Sequence, residues 1–450
     1  MASQLAATST TTTRLVTIDL PDPVIDHLVA GGLASLRERA TVTWEKPAQQ
    51  SSLFGLGTAA RLIGDRDSAL GDAMQPIVEL STSALVLSDQ PVTRPRFLGG
   101  GRFDPAGEVW DPAWAPFGGW QFVVPCFLLA TEGGSLLGSC TMSIHARETA
   151  TEIEARLANA LDAASRPEPR TERASRGELA PTPLDPREWG ARVATAIDEI
   201  ERGRYKKVVL ARRTNVEALT RDGIGEALGN LSVRYGNCYV FKFRTGDADW
   251  LGATPELLVA LEGGAVRAAS LAGSRPRKTE RNEDRLQVSN LLADAKERAE
   301  HEYVAAALRE ALAPLCTDLS APPEPAVMTL ANIHHLYTPF EGHVALGTHL
   351  LDLVTAIHPT PAVGGWPRAE AMAAINRLEQ LDRGWYAGPI GWIDFSGDGE
   401  FAVALRSGLV SSTGTVLFAG AGIVAGSVPA EELAETETKL RPLRDALGAC

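Results

Sequence analysis

Two short stretches pair carboxylates at the same spacing: Glu297 with Glu300 in DAKERAEHEYV (294–304), and Glu432 with Glu435 in PAEELAETETKL (429–440). On a helix, residues three apart share a face. The face of Glu297 and Glu300 also carries Ala293 upstream and Val304 and Leu308 downstream, so these two carboxylates lie in a burial zone, where they need partners. Two helices each offering Glu-x-x-Glu could face each other around a hard cation. Mg²⁺ suits such a place, because it takes one or two carboxylates, keeps waters and accepts substrate oxygens. The competing reading is an ordinary salt-bridged helix with Lys296 or Arg298 as partner. For the second pair it is acids near a helix start that suit the dipole, which explains Glu431 and Glu432 better than Glu435. Composition alone leaves both open. HEYVA (301–305) begins like the HExxH zinc motif, but position 305 is Ala, so zinc is set aside.

Other residues could carry acid–base work. Lys206 and Lys207 open an apolar strand, and alternation sends them to opposite faces. An inward lysine with a lowered pKa can be a general base, although most such lysines snorkel to water. Glu256 follows Pro255 at an apolar strand start, where a carboxylic acid with a raised pKa could be a general acid. His334 and His335 read as core or hydrogen-bonding groups rather than ligands. AGAGIVAG (419–426) leads into the second acidic helix, and its backbone N–H groups could hold a carboxylate; a tight strand exit is the bland alternative. GLGTAA (55–60) fits GxGxxA, but no clear strand leads into it and no strand-end acid follows, so it is a poor dinucleotide site.

The elements that must position these residues alternate between strand sets and helices. Asp185-Pro186 starts a helix carrying Trp189, Val193, Ile197 and Ile200, which Gly203 stops. Strands are expected at 206–216, at 238–244, within 250–274 around a Gly-Gly hairpin, and within 385–424. One long helix is expected over roughly 282–313, with Val288, Leu292, Ala295, Ala299 and Ala306 as an apolar stripe, and a last helix from Pro429. Strands in hairpin succession with inserted helices indicate α+β with antiparallel sheets.

The 450 residues hold 43 Lys+Arg against 56 Asp+Glu, a net charge of −13. That argues against nucleic acid or an anionic membrane as partner, and a small anionic substrate would need local positive help. Five scattered Cys form no CxxC pair, which favours a reducing, cytoplasmic setting. No apolar run approaches the ~20 residues of a membrane helix. Residues 1–14 read as a disordered polar tail, 15–164 as an N-terminal part of the same fold, 165–184 as a Pro- and charge-rich linker or mobile loop, and 185–450 as the catalytic core.

Together the pieces resemble the chorismate-utilising enzymes, and within them those that form isochorismate. GRYKKVVLARR, LGATPELLV, SLAGSR, AKERAEHEYV, IHHLYTPFEG, HPTPAVGG, RGWYAGPIGW, ALRSGLV, FAGAGIVAGS and ETETKL follow in order through 185–450. The resemblance implies an α+β fold of α/β/α sandwich type: two packed antiparallel sheets, covering helices, and a deep cleft. It implies Lys207 as the base that activates water and Glu256 as the acid for the leaving hydroxyl. It also implies Glu300 and Glu435 as direct Mg²⁺ ligands, with Glu297 and Glu432 holding the metal's waters. Gly273, Ser274, His335, Ala362, Tyr386, Arg406, Gly420, Gly422 and Lys439 would surround chorismate, a dianion. The implied reaction adds water at C2, shifts the ring double bonds and expels the C4 hydroxyl, and requires a neutral lysine and a protonated glutamate at rest.

Two residues choose within the family. Ammonia-using anthranilate synthases usually carry Gln at the base position, so Lys207 favours water. Salicylate- and amine-forming members carry Thr where this chain has Ala362, so Ala goes with stopping at isochorismate. The alternative is a salicylate synthase, or component I of an aminodeoxychorismate or anthranilate synthase. Menaquinone supply is expected from the long N-terminal region, and a monomer or homodimer is expected.

Overall fold

The computed structural model describes residues 13–88, 90–166, 185–216, 223–412 and 414–448. Residues 1–12 of the expected tail and 167–184 of the expected linker lie outside them. Thr13 opens a strand, Thr13–Asp19, and Ser165 closes a helix, Ala150–Ser165.

The strands gather into two sheets. The larger runs, from one edge, Gly365–Trp366, Lys207–Val216, Gly414–Val424, Ser407–Ser411, Ala248–Thr254, Tyr239–Thr245, and then the N-terminal strands from Val42–Lys46 outward. Its pairings are antiparallel except the short contact of Thr13–Asp19 with Leu85–Val86. The second sheet runs Ala326–Thr329, Ile333–His343, Ala265–Pro276, Leu257–Glu262, Gly399–Val403, Pro389–Asp394, Arg96–Gly101, Trp120–Val124 and Ala60–Gly64. N-terminal strands thus extend both sheets. GLGTAA joins two strands, Ser51–Leu56 and Ala60–Gly64, so no helix follows it and it makes no dinucleotide turn.

One core holds the sheets together. Trp44, Trp114, Trp189, Trp250 and Trp385 are all fully buried. Trp114 packs edge-on to Trp250 with centroids 5.0 Å apart, and Phe122 to Phe401 at 6.2 Å, so N- and C-terminal aromatics interlock. Trp44 Nε1, on the first sheet, donates to Glu400 Oε1, on the second, at 3.0 Å.

The expected helix over 282–313 is two helices, Arg281–Ala293 and Ala295–Leu312. Asp294 breaks it: in extended conformation, it caps the second helix, accepting from Lys296 N at 2.9 Å and Glu297 N at 3.2 Å. The break resets the helical phase, so the expected stripe is wrong. Ala295 and Ala299 are exposed, and the buried face carries His301, Val304, Ala305, Leu308 and Leu312. Glu297 and Glu300 lie just upstream on that face. His301 Nδ1 meets Ala272 O at 3.2 Å and Nε2 meets Thr338 Oγ1 at 2.8 Å, fixing the helix to the second sheet.

Candidate active site

Each side chain is placed by a local feature. Lys207 is the first residue of its strand; Lys206 is exposed, whereas Lys207 is 0% exposed. Glu256 sits where the chain leaves one sheet at Thr254 and joins the other at Leu257. That crossing is pinned: Thr254 Oγ1 donates to Val403 O at 2.6 Å and accepts from Glu256 N at 3.3 Å. Gly273 forms a bulge in Ala265–Pro276, at φ 76°, with a register shift between Ala272 and Ser274. The bulge turns Ser274 N toward Glu297 Oε2, at 2.7 Å, and a Cβ at Gly273 would stand 2.9 Å from Glu297 O. Arg406 and Ala387 both hold left-handed backbone, at φ 50° and 61°, a strain that recurs at functional sites.

These features converge on one cavity between the sheets and the two acidic helices. Glu256, Gly273, Ser274, Glu300, His335, Ala362, Tyr386, Arg406, Gly420, Gly422, Glu435 and Lys439 line it. Of the residues singled out from sequence, Lys207, Glu297 and Glu432 stand behind the lining. Lys207 Nζ is 2.9 Å from Glu300 Oε1 yet makes no well-aligned hydrogen bond. Gly422 leaves room for this pair: a Cβ there would be 2.9 Å from Glu300 Oε1 and 3.2 Å from Lys207 Cε. Lys439 Nζ donates to Gly420 O at 3.0 Å and pairs with Glu435 Oε1 at 2.5 Å.

The electrostatics divide the carboxylates. Burial pushes Glu256 up to about 7, against Arg406, Lys207 and Lys439. Burial, then the charge of Glu300, push Glu297 up to about 7. Glu432 is raised by burial and by Glu435. Burial acts upward on Glu435 too, but Lys439, Arg406 and Lys296 win and hold it low. Burial lowers His335 to about 3, and its Nε2 has no hydrogen-bond partner among the described residues.

Whether these residues suit a metal follows from that division. Among the described residues, no three His, Cys, Asp or Glu side chains stand together as a ready ligand group. Glu300, Glu435 and Glu432 are instead met by Lys207, Lys439 and Lys296. The donor chemistry nevertheless fits a hard cation: four carboxylates from two helices, of which Glu297 and Glu432 are raised partly by their neighbours' charge. That is repulsion a divalent cation would relieve.

Arg383 was missed at the level of sequence. Its guanidinium donates to Val363 O at 2.9 Å and Val209 O at 2.8 Å, bonds Glu379, and lies 4.0 Å over the Phe103 ring. It ties the Lys207 strand to the segment bearing Ala362. The available signal was a charge inside the Gly- and aromatic-rich stretch RGWYAG, with a Glu one helical turn earlier. Arg383, with Val209, Pro255, Leu271, Ala272, Val363, Ala387 and Leu405, completes the wall. His334 is the hydrogen-bonding group expected, with Nδ1 2.9 Å from Thr329 Oγ1 and Nε2 3.0 Å from Asp284.

Comparison with known proteins agrees with this geometry. A salicylate biosynthesis isochorismate synthase of Pseudomonas aeruginosa is 35% identical over 433 residues, which span 95% of this chain and 89% of that protein. The isochorismate synthase MenF of Bacillus subtilis is 40% identical over 268 residues, 59% of this chain and 56% of that one. The structure of the menaquinone-specific isochorismate synthase of Escherichia coli superposes with a TM-score of 0.76 at 24% identity, over 98% of this chain and 95% of that one, and shares the fold. The family profile described as chorismate binding enzyme matches residues 2–448, and this chain therefore belongs to the chorismate-binding enzymes.

Proposed function

We propose that this protein is an isochorismate synthase, an isomerase that turns chorismate into isochorismate with a bound Mg²⁺. The observation that carries the reading is the pairing of a fully buried Lys207 on one sheet with a protonatable Glu256 at the sheet crossing, beside one cavity. The full-length relative from Pseudomonas aeruginosa bears the same activity in its name.

In this reading Lys207 takes a proton from water as the water oxygen bonds to C2. The ring double bonds shift, the C4–O bond breaks, and Glu256 gives its proton to the departing hydroxyl. The lysine ends as ammonium and the glutamate as carboxylate, and both reset by exchange with solvent. Glu256 is suited to the acid role because its value of about 7 keeps much of it protonated near neutral pH. In the structure Glu300 Oε1 stands 2.9 Å from Lys207 Nζ, where the water to be activated would have to come. Glu300 must therefore find another partner before turnover.

Glu300 and Glu435, which line the cavity, would hold Mg²⁺ directly, with Glu297 and Glu432 behind them holding its waters. When bound, the ion supplies positive charge to a substrate carboxylate and offsets the repulsion between a dianion and an acidic site. Arg406 and Lys439 would meet the substrate's other anionic groups. Ala362, Tyr386 and His335 shape the wall, and Ser274 and the amides near Gly420 and Gly422 offer hydrogen bonds.

Incubation with chorismate and Mg²⁺, with product identification, tests this. Isochorismate without pyruvate is expected, with loss of turnover on chelation. Salicylate plus pyruvate, or a strict need for ammonia, would overturn it in favour of the salicylate- or amine-forming alternatives. Glu256→Gln is expected to lower kcat by ~10²–10⁴-fold. For the route that consumes the product, menaquinone supply is proposed, in line with the relatives named MenF, against the salicylate route named for the relative that matches 95% of this chain. A strain lacking this chain would then lose menaquinone, and retention of menaquinone with loss of salicylate would overturn that assignment.

A further inference from the structure

Three lysines stand among the four carboxylates of Ala295–Leu312 and Pro429–Ala446. Lys207 and Lys439 already have work in the site. Lys296 has none, yet its Nζ reaches across from the first helix to Glu432 Oε1 on the second, 3.6 Å away. The Glu432 side chain is 5% exposed, whereas that of Lys296 is 36% exposed. Glu297, Glu300 and Glu435 also lie within its field, although Glu432 alone is in contact with it. Arg298, the nearest other cation on that helix, is turned outward to Glu324 at 2.7 Å.

We propose that Lys296 is a tethered counter-ion, holding the two Glu-x-x-Glu helices together while no divalent cation is present and displaced when one binds. The inference rests on the metal reading above. Four carboxylates brought together by packing repel one another, and a positive charge between the helices offsets that repulsion. A lysine suits this use because its charge is compact and its four-carbon stem flexible. Being partly exposed, it can swing to water at small cost. A divalent cation and the ammonium would repel if both stayed, so one leaves. The lysine thereby weakens metal affinity in exchange for a stable empty site.

Calorimetric titration of the full chain with Mg²⁺, without substrate, tests this, together with thermal unfolding in chelator and in excess Mg²⁺. Lys296→Met is expected to tighten Mg²⁺ binding on the order of ten-fold. It is also expected to lower the unfolding midpoint in chelator, with the deficit removed by Mg²⁺. Lys296→Arg, which keeps the charge, is expected to stay near wild type in both. Should Lys296→Met fail to fold, Lys296→Gln serves with the same expectations. Mg²⁺ binding that is unchanged or weaker in the uncharged variants overturns the inference alone. A wild-type chain that takes up no Mg²⁺ overturns the metal reading and the inference with it.

Discussion

At the scale of the residue, Glu256 sets a pH dependence whose sign follows from its environment. Its folded value of about 7 lies above the ordinary 4.5. Ionisation therefore works against the fold. The stability it contributes is full below about 4.5 and is lost as pH rises through about 7. Glu256→Gln is expected to flatten that loss, raising stability at pH 8 by at most roughly 3 kcal/mol, readable by denaturant unfolding at pH 5 and pH 8. In the proposed reaction, with Glu256 as the acid, turnover should fall above about pH 7 as its protonated form disappears, which a kcat–pH profile would show. Gly422 offers a second handle. An added methyl would meet the far ends of Glu300 and Lys207, which can move aside. Gly422→Ala should leave the unfolding midpoint nearly unchanged but, in the proposed reaction, lower kcat/KM by about 10²-fold, because it displaces the lysine proposed as base.

At the scale of the element, the helix Ala295–Leu312 is aimed by its first turn. Asp294 caps it and also pairs with Arg275, at 2.6 Å, on the strand bearing the Gly273 bulge. Cap, ion pair and bulge together set where Glu297 and Glu300 point. Asp294→Ala should cost about 1 kcal/mol of stability from the cap. If the proposed metal reading holds, it should, unlike an ordinary cap loss, also weaken Mg²⁺ binding, because the carboxylates are no longer held; a cap variant with unchanged metal affinity would contradict this. In the second helix, Glu432 is buried beside Lys296 of the first while Glu435 opens to the cavity, so the two acids of one motif meet different surroundings.

At the scale of the whole molecule, the sheets are shared between the two halves of the chain. Val42–Lys46 pairs with Tyr239–Thr245, and Arg96–Gly101 with Pro389–Asp394. Removing residues 1–184 would bare two long sheet edges and the aromatic faces of Trp250, Trp385 and Phe401. A chain of 185–450 alone is expected to be insoluble or to aggregate. Recovery of a soluble, cooperatively unfolding 185–450 would overturn that expectation.

Local chemistry marked the paired acids, Lys207 and Glu256 as candidates, and the family resemblance supplied their roles and the rest of the candidate site. The Glu-x-x-Glu spacings, the Lys206–Lys207 alternation and the Pro before Glu256 are short-range signals, and strand and helix periods follow from residue order. The limits were equally physical. A single Asp that caps a helix looks like any other acid in a charged run, so the break at Asp294 was not visible, whereas the burial of Val304 and Leu308 on the face of Glu297 and Glu300 was. Arg383 was missed because its partners, Val209 and Val363, are distant in sequence and are carbonyls, which carry no side-chain signature. The sequence by itself determined the residue types and the faces they share. Only the tertiary structure decided which faces meet, because burial and the charges of neighbours from other elements raise Glu256 and Glu297 and place Lys296 between the two acidic helices.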